Sequence, residues 1–293
     1  MFIVMGGTGH VGSAVAESLL AAGHEVTVVT RDARHAQRRW AGRVHIAEAD
    51  ANDPDSLRAV FRHGRRAFLL NPPADPSTDT DAVERRTVAG ILSALEGSRL
   101  EKVVAGSTGG ARPGERIGDL SVLWELEEGL RRQPIPAAIN RAAFYMSNWD
   151  SQLSAVRESG TLTSIYPADV RLPMAAPRDL GEAAARRLLS PLDDVGVQHV
   201  EGPERYTAAD VATAFSRALH RPVDVAVIPR DRWQETFRQL GFSEAAAESY
   251  RRMAAVSLDD LDVPDDAIRG TVTLDAYIRE LVARDRRPVA SLR

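Results

Sequence analysis

The 293-residue sequence predicts an α/β fold, namely a Rossmann-type, doubly wound parallel sheet with a small C-terminal α+β lobe. Two observations support this prediction. Short runs rich in Val, Ile and Leu alternate with helical patterns through the first half, as in βαβ units. After about residue 140 the alternation loosens and proline-containing extended segments follow. We therefore expect a first domain over residues 1–150 and a smaller lobe over residues 151–293 that partly returns to the sheet.

Each element of the first half is indicated by its own pattern. Strands are predicted at about 1–5, 25–30, 43–47, 66–70, 101–106 and 135–139. Between the first two strands, apolar residues recur at helical spacing from Val11 to Ala22, which favours a helix packed on the sheet. Further helices are predicted at about 54–63, 79–96 and 119–131. In the second half, regular structure is expected to resume near residues 179–189, and a capping box at Thr207 predicts a helix to about residue 219.

The composition excludes several classes of protein. Hydrophobic residues make up 44% and charged residues 27%, as in ordinary globular proteins. A net charge of −4 argues against a nucleic-acid partner, and the absence of cysteine removes disulfides, thiolate nucleophiles and cysteine-ligated metals. The seven histidines show no metal-binding spacing, so we expect no metal. No signal peptide or membrane-spanning stretch is visible, and we expect a cytoplasmic protein without a membrane partner. The oligomeric state is left open.

A glycine-rich turn directly follows the first predicted strand and leads into the amphipathic helix: Gly6-Gly7-Thr8-Gly9-His10-Val11-Gly12. Glycines in this setting let a pyrophosphate approach the backbone and the positive end of the helix. The turn therefore predicts a dinucleotide site, in preference to a purely structural turn. His10 either contacts a phosphate, shields the nicotinamide ring or is simply exposed to solvent.

The end of the second strand indicates which dinucleotide is bound. NAD-specific proteins usually place an acidic residue there, whereas this chain has Thr30-Arg31. A guanidinium group can bond a 2′-phosphate, so NADP(H) is preferred, with NAD(H) as the alternative. The competing explanation for Arg31 is a solvated loop arginine. Asp50 and its neighbour Ala51, after the third strand, are placed to contact the adenine, although Asp50 also fits a loop or helix-cap acid.

Ser107 lies in Ala105-Gly106-Ser107-Thr108-Gly109, which approximates the nucleophile elbow of serine hydrolases. The elbow requires an immediate helix, and Gly110, Pro113 and Gly114 prevent one. We therefore expect Ser107 to form a hydrogen bond near the nicotinamide or the substrate carbonyl, or else to cap the strand end.

Four further segments carry a family pattern together with the glycine turn: Thr30-Arg31, Asn71-Pro72-Pro73, Gly106-Ser107-Thr108 and Asn140-Arg141-Ala142-Ala143-Phe144-Tyr145-Met146-Ser147-Asn148. With residues 178–181 and 201–207, they resemble the NmrA-like branch of the atypical short-chain dehydrogenases/reductases over most of the chain. The last segment is similar to R-P-x-x-F-M-x-N, with Ala142 where proline is usual. The resemblance implies an NAD(P)-binding first domain, a substrate-binding lobe, and cofactor contacts from Asn71 and Pro72.

The resemblance also exposes a missing feature. Typical short-chain reductases carry a tyrosine four residues before a lysine on the helix after the fifth strand. Aligning that helix on Glu127 puts Asp119 and Leu123 at those positions. Lys102 lies at the wrong end of a strand, and no tyrosine occurs before Tyr145. The usual Tyr–Lys pair is therefore absent.

These observations predict an NAD(P)H-dependent reductase of a small aromatic, quinone-like or carbonyl compound, because an electron-poor acceptor needs little acid catalysis. The alternative is an NADP(H)-binding, redox-sensing regulatory protein without turnover. For the substrate pocket we predict Phe144, Tyr145, Asn148 and Trp149, whose aromatic rings otherwise anchor the small lobe. Tyr145 and Ser107 are the candidate catalytic residues.

Overall fold

The computed structural model describes residues 1–261 and 264–285. In its first half, strands and helices alternate strictly along the chain. The elements are β1 (Phe2–Met5), α1 (His10–Ala21), β2 (Val26–Thr30), α2 (Ala33–Trp40), β3 (His45–Glu48), α3 (Pro54–Phe61), β4 (Arg66–Leu69), α4 (Thr80–Leu95), β5 (Lys102–Thr108), α5 (Asp119–Arg131) and β6 (Ala137–Ala142).

The second half is less regular and contains short strands, helices and two 3₁₀ segments, Met146–Gln152 and Arg230–Arg232. Its remaining elements are β7 (Phe144–Tyr145), α6 (Leu153–Ser159), β8 (Thr161–Ser164), β9 (Leu172–Ala175), α7 (Pro177–Leu189), β10 (Gly196–Glu201), β11 (Arg205–Tyr206), α8 (Ala208–Leu219), β12 (Asp224–Val227), α9 (Trp233–Gln239), α10 (Glu244–Asp259), β13 (Ile268–Arg269) and α11 (Leu274–Asp285).

The centre of the molecule is an eight-stranded sheet in the order β13-β10-β6-β5-β4-β1-β2-β3. All neighbouring strands of this sheet are parallel. The chain builds outward from β1 to β3 and then crosses to β4 on the other side of β1, which opens a crevice at the carboxyl ends of these strands. This topology confirms the predicted Rossmann-type fold.

Three apolar clusters bury the sheet and the lobe. On one face, α1, α2 and α7 contribute Val15, Leu19, Trp40 and Leu188. On the other face, α3, α4 and α5 contribute Leu57, Phe61, Ile91, Leu95 and Leu126. The lobe has its own cluster, in which Met146, Leu162, Met174, Phe215 and Ile278 are buried. Within the described residues, no helix is both long and apolar enough to cross a bilayer.

Helix α2 was not predicted from the sequence, and β5 and β6 extend beyond their predicted ends to Thr108 and Ala142. The helix begins at a side-chain cap, because Asp32 accepts a hydrogen bond of 2.8 Å from the backbone N–H of His35. It buries only Ala36 and Trp40. Its other side chains are mostly polar and exposed, so its apolar stripe is too narrow for a clear helical pattern.

The end of the described chain is attached to the sheet layer through Asp179 of α7. This carboxylate is 3% exposed and accepts hydrogen bonds from the backbone N–H groups of Thr271 and Val272, at 3.0 and 3.1 Å. Val272 belongs to the core of the lobe, and α11 begins two residues later. One buried side chain therefore joins the nucleotide-domain helix α7 to the lobe.

We expect Asp179→Ala to lower the free energy of unfolding by roughly 2–4 kcal/mol, because two backbone donors lose a charged acceptor in a buried setting. Chemical denaturation at neutral pH measures the change. Asp193→Ala is the matched control, since Asp193 is exposed, and it should change the free energy by less than about 0.5 kcal/mol. Equal stability of both variants would contradict this role of Asp179.

Candidate cofactor and substrate site

The glycine turn is rigid and already shaped for a ligand. Gly6 has a φ of +66°, and the turn is closed by a 2.9 Å hydrogen bond from the Gly9 N–H to the Gly6 carbonyl oxygen. A Cβ atom added at Gly12 would overlap that same oxygen. From α2, the Trp40 indole N–H donates to the Gly7 carbonyl oxygen at 3.1 Å. The backbone is thus fixed before any ligand binds.

The start of α1 is free to receive an anion. The helix begins after Gly9 without a side-chain cap and without an acidic residue in its first turn. Its first amide groups have no intrahelical acceptor and lie at the positive end of the helix. The Ser13 hydroxyl is engaged elsewhere, because it accepts from Arg39 at 2.8 Å and donates to the His10 carbonyl oxygen at 3.2 Å. These residues fit a pyrophosphate group.

His10 lies at the mouth of the crevice, half-exposed, with its Nε2 3.9 Å from a carboxylate oxygen of Asp150. Asp150 belongs to the 3₁₀ segment that follows β7. The glycine turn therefore faces the segment that carries the predicted substrate residues.

The β2–α2 corner presents unpaired arginines. Arg31, Arg34 and Arg38 are exposed, and none forms a hydrogen bond or ion pair with another described residue. Asp32, the nearest acid, is used in capping α2. The corner is consequently a positive surface, with Arg34 and Arg38 as candidates that the sequence prediction missed because α2 was not recognised.

Asp50 and Ala51 form the turn after β3. The Asp50 carboxylate accepts from the backbone and side-chain nitrogens of Asn52, at 2.9 and 3.2 Å. Ala51 is buried, and its carbonyl oxygen lies where a side chain at Gly90 of α4 would stand. Asp50 therefore shapes its own loop, and the predicted adenine contact stays a prediction.

The carboxyl ends of β1, β4 and β5 come together around Leu70. A Cβ atom at Gly6 would lie 2.7 Å from its side chain, and one at Gly106 would lie 3.1 Å from it. The next residue, Asn71, has a buried side-chain oxygen without a hydrogen-bond partner among the described residues. Such an acceptor is costly unless a ligand or water serves it. Asn71 and the half-buried Pro72 thus stay predicted cofactor contacts, and the orphaned oxygen supports this.

Ser107 points into the protein. It is 1% exposed and donates a 2.6 Å hydrogen bond to Glu127, which also accepts from the Arg141 guanidinium at 2.8 and 2.9 Å. Its predicted cofactor and catalytic roles stay predictions, while its hydroxyl has a structural partner. Lys102 lies at the start of β5, buried, and donates to Ser190 and to the Pro191 carbonyl oxygen, both at 2.8 Å.

The four predicted substrate residues do not share one environment. Phe144 contacts the rings of Trp149 and Tyr166, with centroids 5.8 and 5.5 Å apart, and Trp149 is buried in the lobe core. Asn148 is exposed. These contacts favour the anchoring alternative for Phe144 and Trp149, and the predicted substrate contacts stay predictions.

Tyr145 instead packs against the cluster on the α1 face of the sheet, together with Leu70. It is half-buried, and its hydroxyl has no hydrogen-bond partner among residues 1–261 and 264–285. Burial raises the pKa of Tyr145 to about 12, and the nearby charge of Asp119 adds to this effect. Near neutral pH the phenol is therefore a hydrogen-bond donor.

Two carboxyl groups that were not predicted as site residues lie at the same edge of the sheet. Glu84, on the first turns of α4, is 4% exposed and accepts a 2.9 Å hydrogen bond from the Ala74 N–H. Its carboxyl lies beside that of Asp119, the first residue of α5, close enough for the charge of Asp119 to act on it. Asp119 was noted in the sequence only as the residue in place of the usual tyrosine.

Comparison with known proteins supports a nicotinamide dinucleotide as the cofactor. Residues 6–138 match a family model described as NAD(P)H-binding, which confirms the predicted type of cofactor. The chain therefore contains an NAD(P)H-binding domain on a Rossmann-type sheet. It is 25% identical to an NAD(P)H azoreductase of Xenophilus azovorans over 260 residues, which cover 89% of this chain and 88% of that protein.

The resemblance to NmrA-like proteins has support from one relative. The chain is 32% identical to a nitrogen metabolite regulation-like protein of Gibberella fujikuroi over 211 residues, 64% of this chain and 61% of that protein. In fold, it is similar to an NADPH-dependent quinone oxidoreductase of Escherichia coli complexed with NADPH, with a TM-score of 0.77, 18% identity, and coverage of 96% and 99% of the two chains. Enzymes among these relatives and neighbours are NAD(P)H-dependent oxidoreductases.

We expect Gly9→Val to abolish NADPH binding while the protein stays folded. Gly9 is exposed in extended backbone, and an added Cβ would meet only the Gly6 carbonyl oxygen, at 3.4 Å, so the side chain would occupy the phosphate position. Gly12→Val should instead lose both binding and stability, because it overlaps the backbone. Calorimetry and thermal melting compare the variants, and undiminished NADPH binding by Gly9→Val would place the phosphates elsewhere.

Proposed function

We propose that the protein is an NAD(P)H-dependent reductase of a small electron-poor acceptor of the quinone, azo or carbonyl class. The observation that carries the proposal is the preformed anion site at the start of α1, which lies at the same edge of the sheet as Tyr145, whose hydroxyl has no partner among the described residues. The azoreductase relative, matched over nearly its whole length, supports the same class of reaction.

Some residues of the site bind the cofactor, and others orient the acceptor. When bound, NADPH supplies a hydride, which carries two electrons to the acceptor. The α1 amides and the β2–α2 arginines hold the phosphates, and the Asn71 side-chain oxygen is available to a donor of the cofactor. The Tyr145 O–H, which has no partner among the described residues, is available as a donor to an acceptor oxygen or nitrogen, and such a bond would orient that atom.

We further propose that NADP(H) is preferred to NAD(H). Arg31, exposed and unpaired, follows β2 at the position where NAD-specific proteins carry an acidic residue that binds the ribose hydroxyls. No carboxylate of the described residues forms an ion pair with Arg31. Its guanidinium group is thus available to a 2′-phosphate.

A regulatory protein is the second candidate. The fungal regulation-like relative and the absence of a Tyr–Lys pair favour a redox sensor that binds NADP(H) without turnover. The acceptor assay described below separates the two functions.

Arg31→Ala should weaken NADPH binding by roughly ten- to a hundredfold, that is by about 1.5–3 kcal/mol, and leave NADH binding unchanged. Isothermal titration with both cofactors measures the difference. Arg62→Ala is the control, because this exposed arginine follows α3 at the opposite edge of the sheet. Equal loss for both cofactors, or equal affinity of the unmodified protein for both, would contradict the assigned role.

The function itself is tested by incubating the protein with NADPH and a panel of quinones, azo dyes and aromatic aldehydes. The absorbance of the reduced nicotinamide reports the oxidation of NADPH. We expect sustained turnover with at least one of these classes. Tight NADPH binding without oxidation by any acceptor would refute the reductase and favour the regulatory protein.

A further inference from the structure

We propose that Asp119 is the catalytic acid of this site and that Glu84 is the positioning residue behind it, so that the carboxyl pair supplies the proton for acceptor reduction. This inference rests on the proposed reductase function and deepens it. It names the group that replaces the missing tyrosine and lysine.

The placement of Asp119 suits this role. It is the first residue of α5, at the carboxyl edge of the sheet, and it stands where the sequence alignment puts the usual tyrosine. Asp119 is exposed to solvent although many protein atoms surround its carboxyl group. Glu84, by contrast, is buried. Asp119 is thus the member of the pair that a substrate can reach.

The two carboxyl groups lie close enough to share a proton. Neighbouring carboxyl groups resist ionising together, because each negative charge disfavours the other. Burial, followed by the charge of Asp119, raises the pKa of Glu84 to about 7, and burial followed by the charge of Asp81 raises the pKa of Asp119. The pair therefore retains a transferable proton near neutral pH, which ordinary surface carboxylates do not.

The surroundings do not explain the pair as a structural salt bridge. No Lys, Arg or His in the described part of the chain forms an ion pair with Glu84 or Asp119. Arg85, the nearest cation on α4, is bonded to Asp81 at 3.4 Å and to the Ser121 hydroxyl at 3.1 Å. Buried acids kept only for stability normally have a cationic partner.

Other groups around the pair come from three elements. Asp81 of α4 accepts a hydrogen bond from Ser249 of α10. Also on α10, Tyr250 is half-buried, and burial together with the charge of Asp119 raises its pKa. Tyr145 of β7 is the third titratable neighbour of Asp119. Both phenols stay neutral near pH 7, whereas Glu84, with its pKa raised to about 7, titrates in the physiological range.

A buried polar atom beside the pair also awaits a ligand or water. Thr80 lies one turn before Glu84 on the same face of α4 and is 1% exposed. Its hydroxyl has no hydrogen-bond partner within the described residues. Together with the unpartnered Tyr145 hydroxyl, it indicates that this end of the crevice can bind a polar ligand.

In the proposed step, a hydride and a proton reach adjacent atoms of the acceptor. The hydride from NADPH adds to the carbonyl carbon or to one azo nitrogen, and the electron pair of the double bond moves to the adjacent oxygen or nitrogen. That atom takes the proton of Asp119, so a carboxyl O–H bond breaks and a new O–H or N–H bond forms. Asp119 then regains a proton from Glu84 and water, and NADP⁺ leaves.

The test compares Asp119→Asn, Glu84→Gln and the control Asp193→Asn with the wild type, using NADPH and both an aldehyde or azo dye and an electron-poor quinone. Wild-type kcat should fall above about pH 7, the pKa of Glu84, because the pair can donate a proton only while it holds one. Asp119→Asn should lower kcat for the aldehyde or azo dye by about a hundredfold, lower it less for the quinone, and abolish the pH dependence. NADPH affinity should stay within about twofold, since the cofactor contacts are intact.

The Glu84→Gln variant distinguishes a role in proton transfer from a purely structural one, because a structural role would leave the pH dependence of kcat unchanged. Burial and the charge of Asp81 raise the pKa of Asp119, whereas Glu84 lowers it. Without the Glu84 carboxyl, the decline of kcat should therefore shift to higher pH. This variant carries the test if Asp119→Asn does not fold, and an unshifted profile would then overturn the proposal. A folded Asp119→Asn with wild-type kcat and pH profile would also overturn it while leaving the reductase function intact. If the wild type oxidises NADPH with none of the tested acceptors, both the reductase function and the role of Asp119 are refuted.

Discussion

The close approach of α1 to the end of β1 is the constraint on which the site depends. Gly12 lets the first turn of the helix rest on the Gly6 carbonyl oxygen, with no room for a side chain between them. The amides at the start of α1 are thereby aimed into the crevice, and Trp40 holds the turn from the α2 side. The positive end of the helix then meets the ligand as part of a fixed frame, which lowers the entropic cost of binding.

The sequence predicted the parts of the site that are local in the chain. The glycine turn, the helix after it and Arg31 occur within about 30 residues, and each has a short-range signature. Glu84 and Asp119 are distant in sequence and meet only because α4 and α5 begin at the same edge of the sheet. Side-chain direction was also hard to predict. Ser107 shares a strand face with buried Ala105, but the true length of β5 was needed to see this.

The Glu84–Asp119 pair illustrates a general tension between stability and chemistry. Keeping a carboxyl away from water and from cations disfavours its ionised form, and this lowers the stability of the folded state as pH rises through the raised pKa. This loss of stability arises at the carboxyl edge of the sheet, where several helices begin and where solvent still reaches Asp119. A parallel sheet places strand ends, helix starts and the ligand together, so unusual protonation states arise there more readily than elsewhere.

The contact of Asp179 with the backbone after β13 affects how the molecule unfolds. Because β10 and β13 enter the main sheet while the intervening chain builds the lobe, neither half has a complete hydrogen-bond network by itself. Such interleaving couples the two cores thermodynamically, so that both should melt in one cooperative transition. A proteolytic cut in the lobe would then weaken the nucleotide cleft from a distance, through the shared sheet.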